Sequence, residues 1–183
     1  QVNIESGGFQ TQDVLLFGEQ SELVNSEIEA NELAQIFSIA MPSDDTPLWI
    51  DNGFAAPLQG ELSSPFGLDR TFNGFLRTRH TGWDINVGTG MPVYASASGE
   101  VVFARQLPIR GDYVLIHHGA GVYSGYAHFS VIHVTQGQTV VAGQLIGQVG
   151  TSGRSSSAHA HFEFIVDGEW VDPVDFIQMP LPG

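Results

Sequence analysis

From about Leu48 onward the chain is a succession of short apolar runs cut by turn residues, a texture that points to a β fold. The candidate strands are Pro92–Ala95, Gly99–Phe103, Tyr113–Ile116, Gly121–Tyr123, Ile132–Val134 and His161–Val166. They are rich in branched and aromatic residues, which suit a half-buried pleated surface, and turn-forming residues separate them. The 22 glycines and 9 prolines favour such short strands and tight turns over helices. Val134, Gly137, Val140, Gly143 and Ile146-Gly147 form a tighter repeat, in which the glycines turn and the branched side chains pack inward. Asp167-Gly168 reads as a hairpin turn into Glu169–Val171.

Before Leu48 the pattern differs. Asp13–Phe17 reads as one strand. Ser26 and Glu29 match a Ser-x-x-Glu capping box that opens a helix over 26–41. Leu33, Ile36, Phe37, Ala40 and Met41 then share one helical face. Pro42–Pro47 ends the helix and reads as a linker. The expected organisation is an N-terminal strand and helix appendage over 1–47, regulatory or left from a larger region, on a domain over 48–183. The expected fold class is mainly β: a small antiparallel sheet or sandwich core with a short N-terminal helical appendage.

Charge narrows the partners. The formal net charge is -14, there is no lysine, and the cations are Arg70, Arg77, Arg79, Arg105, Arg110 and Arg154. A nucleic acid needs a basic surface, and an anionic membrane face needs one too, so neither is an expected partner. With no cysteine, disulfides, thiolate metal sites and cysteine nucleophiles are excluded. No apolar run is long enough to span a bilayer. No signal sequence opens the chain at Gln1, so a cytoplasmic, an already processed or a shortened chain is expected.

The chemistry lies in two separated motifs, His80-Thr-Gly-Trp-Asp84 and His159-Ala-His161. Side chains two apart on a strand point to one face, so His159 and His161 can address one site. His80 and Asp84 would lie about 13 Å apart if extended, at roughly 3.3 Å per residue. Both must approach one ion, so the backbone is expected to bend between them, with Gly82 permitting it. Two imidazoles and a carboxylate leave a fourth position for water, the pattern of catalytic zinc. A neighbouring imidazole can then move the water's proton, and Tyr126-Ala-His128 offers a further one. His117, His118 and His133 are read as structural, and Glu163 as lying behind a ligand or at the surface. Arg70 and Asn73 are equally suited to substrate contact and to turn or ion-pair roles.

In order, Ser64-Pro-Phe-Gly67, Arg70 with Asn73-Gly74, the His80 motif, Gly90-Met-Pro-Val93, Ala97-Ser-Gly99, Tyr126–Ser130, the Val/Gly repeat, His159–Glu163 and Val171-Asp-Pro173 cover Pro57 to Phe176. This series resembles the lysostaphin-type, LytM-like zinc endopeptidases of peptidoglycan, peptidase family M23. The resemblance implies a small antiparallel β core with a groove between loops. It implies one zinc ion on His80, Asp84 and His161. It implies that His128 and His159 are the general base and the oxyanion stabiliser, with His159 favoured as base. It implies an extracytoplasmic hydrolase that cuts peptide stems or cross-links of bacterial cell walls. Asn73 and Tyr126 are the expected substrate contacts, and the chain is expected to be monomeric. Ser157-Ala158 and Ala160 depart from the family's residues around the second motif, which leaves the bond cut open.

Two other readings compete. One is a latent or non-catalytic wall-binding or regulatory module of the same fold, with residues 1–47 over the groove. The retained ligand set argues against it. The other is a carrier or phosphotransfer domain, because the Val/Gly repeat resembles biotinyl and lipoyl barrels. A carrier needs a lysine, which is absent, and phosphotransfer leaves Asp84 without a role.

Overall fold

The computed structural model describes residues 10–43, 45–50 and 52–179. The expected appendage before Gln10, and Asp44 of the expected linker, lie outside the described residues. The expected mainly β, antiparallel fold is what the structure has. Its strands are β1 (Thr11–Val14), β2 (Glu61–Ser64), β3 (Asp69–Phe72), β4 (Leu76–Arg79), β5 (Trp83–Asn86), β6 (Pro92–Tyr94) and β7 (Gly99–Leu107). They continue through β8 (Gly111–His117), β9 (Val122–Ile132), β10 (Thr139–Val140), β11 (Leu145–Val149), β12 (Ala160–Val166) and β13 (Glu169–Val171). The helices are α1 (Glu19–Glu22), α2 (Ser26–Ile39) and α3 (Pro173–Gln178), none long and apolar enough to cross a membrane.

The main sheet runs β10-β7-β8-β9-β12-β5-β2, with β11 pairing β6 and β9 and β13 pairing β12. A small sheet, β1-β3-β4, stands beside it. Alternation along β12 sorts two layers. Phe162 and Phe164 enter a core with Ile146, Val149 and Tyr126, while Ile165 faces the opposite way, with Tyr113, Leu115 and Tyr123. His161 and Glu163 share the face of Ile165 by the same period of two. The repeat behaves as its spacing predicts: Val134, Val140 and Ile146 are buried, and Gly137 and Gly143 adopt positive φ.

Helix α2 covers the Ile165 face. Ile36 and Ala40 join its buried cluster, and burying Ile36 contributes about 2 kcal/mol. Phe37 packs edge-on against Trp170, with ring centroids 4.3 Å apart. The cap differs from expectation. Asn25, not Ser26, caps the helix, its Oδ1 accepting from the backbone N–H of Glu27 and Ile28 at 2.8 and 3.2 Å. Glu29 is thereby free of a box and pairs with Arg154 at 2.5 Å. Met41, expected on the buried face, is exposed because the helix has already ended.

Two other expectations shift. The strand predicted over Asp13–Phe17 sits at Thr11–Val14, parallel to β3. Asn73 stops it by exchanging hydrogen bonds with the backbone of Leu16 at 2.8 and 3.2 Å. Gly121–Tyr123 and Ile132–Val134, read as separate strands, overlap the two ends of the continuous β9, and the histidine motif between them lies within it. Gly125, in the middle of β9, is a packing requirement. A Cβ there would lie 2.2 Å from Tyr113 Oη and 2.8 Å from Glu163 Cγ.

Candidate metal and active site

Strands β12 and β5 pair with His161 opposite Asp84, which brings two distant motifs side by side. His80 enters just before β5, its backbone N–H bonded to Leu68. The ring of His80 donates Nδ1–H to the Pro65 carbonyl at 2.7 Å, since a carbonyl can only accept. Its Nε2 lone pair then faces Asp84 Oδ1 at 3.0 Å and His161 Nδ1 at 3.1 Å. His161 Nδ1 is 2.9 Å from the same carboxylate oxygen. All three residues are buried, and one ligand atom from each lies within 4.8 Å of the others. Gly82 has its expected importance for a different reason. Its φ is not positive; instead a Cβ would lie 2.2 Å from the Phe162 carbonyl oxygen, so a side chain would push β5 off β12.

The electrostatics match that convergence. Burial alone would raise the Asp84 pKa, but the imidazoles of His161 and His80 against its Oδ1 hold it well below the ordinary carboxylate value. Burial lowers the pKa of His80. For His161 burial also pushes down, but the adjacent carboxylates of Asp84 and Glu163 prevail and the net shift is upward. Arg70 adds an ion pair to Asp84 Oδ2, which leaves Oδ1 as the oxygen facing the two imidazoles. This donor set fits a divalent metal. Each imidazole has its remote nitrogen engaged, and the two near nitrogens and one oxygen crowd a common point where a cation would relieve them.

His128 and His159 flank that point, their ring centroids 4.7 Å apart, and His128 is 6.1 Å from His161. The register of β8 on β9 slips between Asp112 and Val114, and His128 adopts φ 61°. This conformation is uncommon for a non-glycine residue and turns the ring toward the site. His128 donates Nδ1–H to the Ser152 carbonyl at 2.8 Å, and His159 to that of Ser157 at 2.9 Å. Both therefore keep a bare Nε2. Burial is the main cause lowering both pKa values, that of His128 far below its ordinary value, so both rings are neutral at neutral pH. His159 sits before β12 in an isolated bridge to Gly150, not on the strand, but its Nε2 still lies 3.6 Å from Asp84 Oδ1.

Other expected residues fall elsewhere. Tyr126, expected to meet substrate, is wholly buried on the opposite face, its hydroxyl accepting from the Ser96 backbone at 2.8 Å. Asn73 is engaged with Leu16, away from the site. Glu163 is not at the surface; it is fully buried behind His161. His118 is structural and His133 exposed. A cavity of about 560 Å³ reaches His80, His128 and His161 from the direction of β4 and α2. Five of the six arginines line it: Arg70, Arg77, Arg79, Arg110 and Arg154. Nothing in the sequence pointed to the partners of Glu163, namely Arg110, Tyr113 and Thr81, or to Glu32 on the far side of Arg110. Only the spacing of Glu163 from His161, two residues on a strand, signalled any of this.

Residues 78–173 match the family model described as Peptidase family M23. Peptidoglycan DD-endopeptidase ShyA of Vibrio cholerae is 42% identical over 103 residues, which is 56% of this chain and 23% of that protein. The chain thus spans about a quarter of that relative's length. A crystal structure of a putative peptidase M23 from Pseudomonas aeruginosa superposes with a TM-score of 0.67 and 31% identity, covering 84% of this chain and 62% of that one. A zinc-containing peptidase from Vibrio cholerae gives 0.64 and 32%, covering 72% and 41%.

Proposed function

The chain belongs to peptidase family M23, and from that premise we propose that it is a zinc endopeptidase hydrolysing peptide stems or cross-links of bacterial peptidoglycan outside the cytoplasm. The observation that carries the reading is the convergence of His80 Nε2, Asp84 Oδ1 and His161 Nδ1 on one buried point beside a cavity. These residues would hold a single ion, which when bound supplies a Lewis acid and lowers the pKa of a coordinated water. The zinc in one structural neighbour and the substrate in the name of the Vibrio relative favour both assignments. We assign residues 48–183 as the peptidase domain, acting as a monomer, with α2 packed on it.

The proton work falls to the two spare imidazoles. His159 takes a proton at Nε2 and passes it to the leaving amine, because Asp84 lies near enough to favour its charged form. His128, on the other side of the site and held through Nδ1–H by the Ser152 carbonyl, is the oxyanion stabiliser, a role it fills only while a proton is on its Nε2 and the ring is cationic. The non-catalytic alternative is not favoured, since every ligand side chain is present and directed at the others.

The test is release of new amino termini from purified peptidoglycan, with and without a zinc chelator. Chelator-sensitive release is expected. Release that the chelator leaves untouched contradicts the metal mechanism, and no release in either condition contradicts the substrate.

A further inference from the structure

Behind the candidate ligand His161 lies a buried polar network. Glu163 Oε2 is 3.2 Å from His161 Nε2 and accepts from Thr81 Oγ1 at 2.6 Å and from Arg110 NH2 at 2.9 Å. Glu163 Oε1 accepts from Arg110 Nε at 2.9 Å and from Tyr113 Oη at 2.7 Å. With four donors besides His161 around it, this carboxylate has no place for a proton of its own. It can therefore only accept from His161, so the hydrogen sits on Nε2 and the Nδ1 lone pair is turned to Asp84 and His80. A ring held at its far nitrogen in this way is fixed in tautomer and in angle.

The clamp does not end at Glu163. Arg110 spends its remaining terminal nitrogen, NH1, on Glu32 Oε1 at 3.0 Å. Glu32 belongs to α2, is itself buried, and also accepts from the backbone N–H of Ile109 and Arg110 at 2.5 and 3.1 Å. One guanidinium thus joins a carboxylate of the N-terminal helix to the carboxylate behind a metal-ligand candidate. Gly125 leaves the space in which this happens.

We propose that Glu163 is a positioning residue for His161, and that α2, through Glu32 and Arg110, is a working part of the metal centre. On this view α2 is not a removable cover. The inference rests on reading His80, Asp84 and His161 as metal ligands.

The experiment titrates Co²⁺ into the full chain below its unfolding temperature, for wild type, Glu163→Gln and Glu32→Gln. It records affinity and the visible ligand-field spectrum. Glu163→Gln keeps the shape but loses the charge that fixes Arg110; it is expected to bind 10- to 100-fold more weakly, by about the cost of losing a partner behind a ligand, with a shifted spectrum. Glu32→Gln, remote from the ion, is expected to weaken binding about threefold by the same route. If both variants melt earlier yet bind Co²⁺ with wild-type affinity and spectrum, the network is merely structural and the proposal is overturned. If Glu163→Gln does not fold, Glu32→Gln decides alone, since wild-type binding by that variant excludes α2 from the centre. A wild-type chain that binds no Co²⁺ overturns the metal reading itself, and this inference with it.

Discussion

Two buried histidine clusters share this molecule, and they are built on different logic. His118 is fully buried, with Nδ1 donating to the Ser98 carbonyl at 2.8 Å and Nε2 2.7 Å from Ser124 Oγ. The chain of contacts continues from Ser124 to Tyr126 Oη, which accepts from the Ser96 backbone. Every polar atom there has a partner of opposite kind, so nothing is left over. At the other cluster the near nitrogens of His80 and His161 and one oxygen of Asp84 face a common point beside a cavity. The lesson is that burial of histidine does not mark function. Convergence of acceptors without enough hydrogens does.

Breaking the convergent cluster has the largest expected effect. Asp84→Ala should lower peptidoglycan hydrolysis by about a thousandfold or more, since several kcal/mol of metal-dependent stabilisation would go with the ion. Rates of amine release from wild type and variant measure it. Changing His159 to Ala should cost hydrolysis about 10²- to 10⁴-fold while metal content stays at the wild-type level. Parallel metal analysis and kinetics would expose the opposite pattern.

The paired cluster should respond in stability, not chemistry. His118→Ala removes the partner of the Ser98 carbonyl and one of the two partners of the Ser124 hydroxyl and opens a void, a loss of about 3 kcal/mol by denaturant unfolding with metal binding retained. A pH series sharpens this. Burial lowers the His118 pKa to about 4. Between its ordinary value and that figure the unfolded chain holds a proton that the folded chain refuses. The neutral ring's contribution is therefore complete above about pH 6.5 and is lost as pH falls toward 4, by about 3 kcal/mol. The stability gap between wild type and His118→Ala should narrow over that window, and a gap that stays constant would show that His118 is not held neutral. The smallest effect is expected at exposed His133, where Ala should change stability by less than about 0.5 kcal/mol and hydrolysis not at all.

What could be read in the sequence was what depends on local spacing. The strand pattern, the valine-glycine repeat and the same-face geometry around His161 follow from a period of two. The candidate ligands His80 and Asp84 share one motif, so their approach required only a bend. Residues whose roles depend on distant partners were not legible. Arg110 meets Glu32 and Glu163 across 78 and 53 positions, and nothing beside it in the chain distinguishes it from the other arginines. Tyr126 lies buried on the face away from the site because its neighbour His128 takes a left-handed turn, so that the motif's two rings face opposite sides of the sheet. The helix cap slipped by one residue because Asn25 outcompeted Ser26 once Glu29 found Arg154.

The most direct measurement is the metal content of the purified full chain, by elemental analysis after exposure to one equivalent of Zn²⁺ and gel filtration, beside Asp84→Ala and His118→Ala. One zinc per chain is expected in wild type and in His118→Ala, and none in Asp84→Ala. Equal zinc in all three, or none in wild type, would contradict the claim that the convergent cluster is a metal centre.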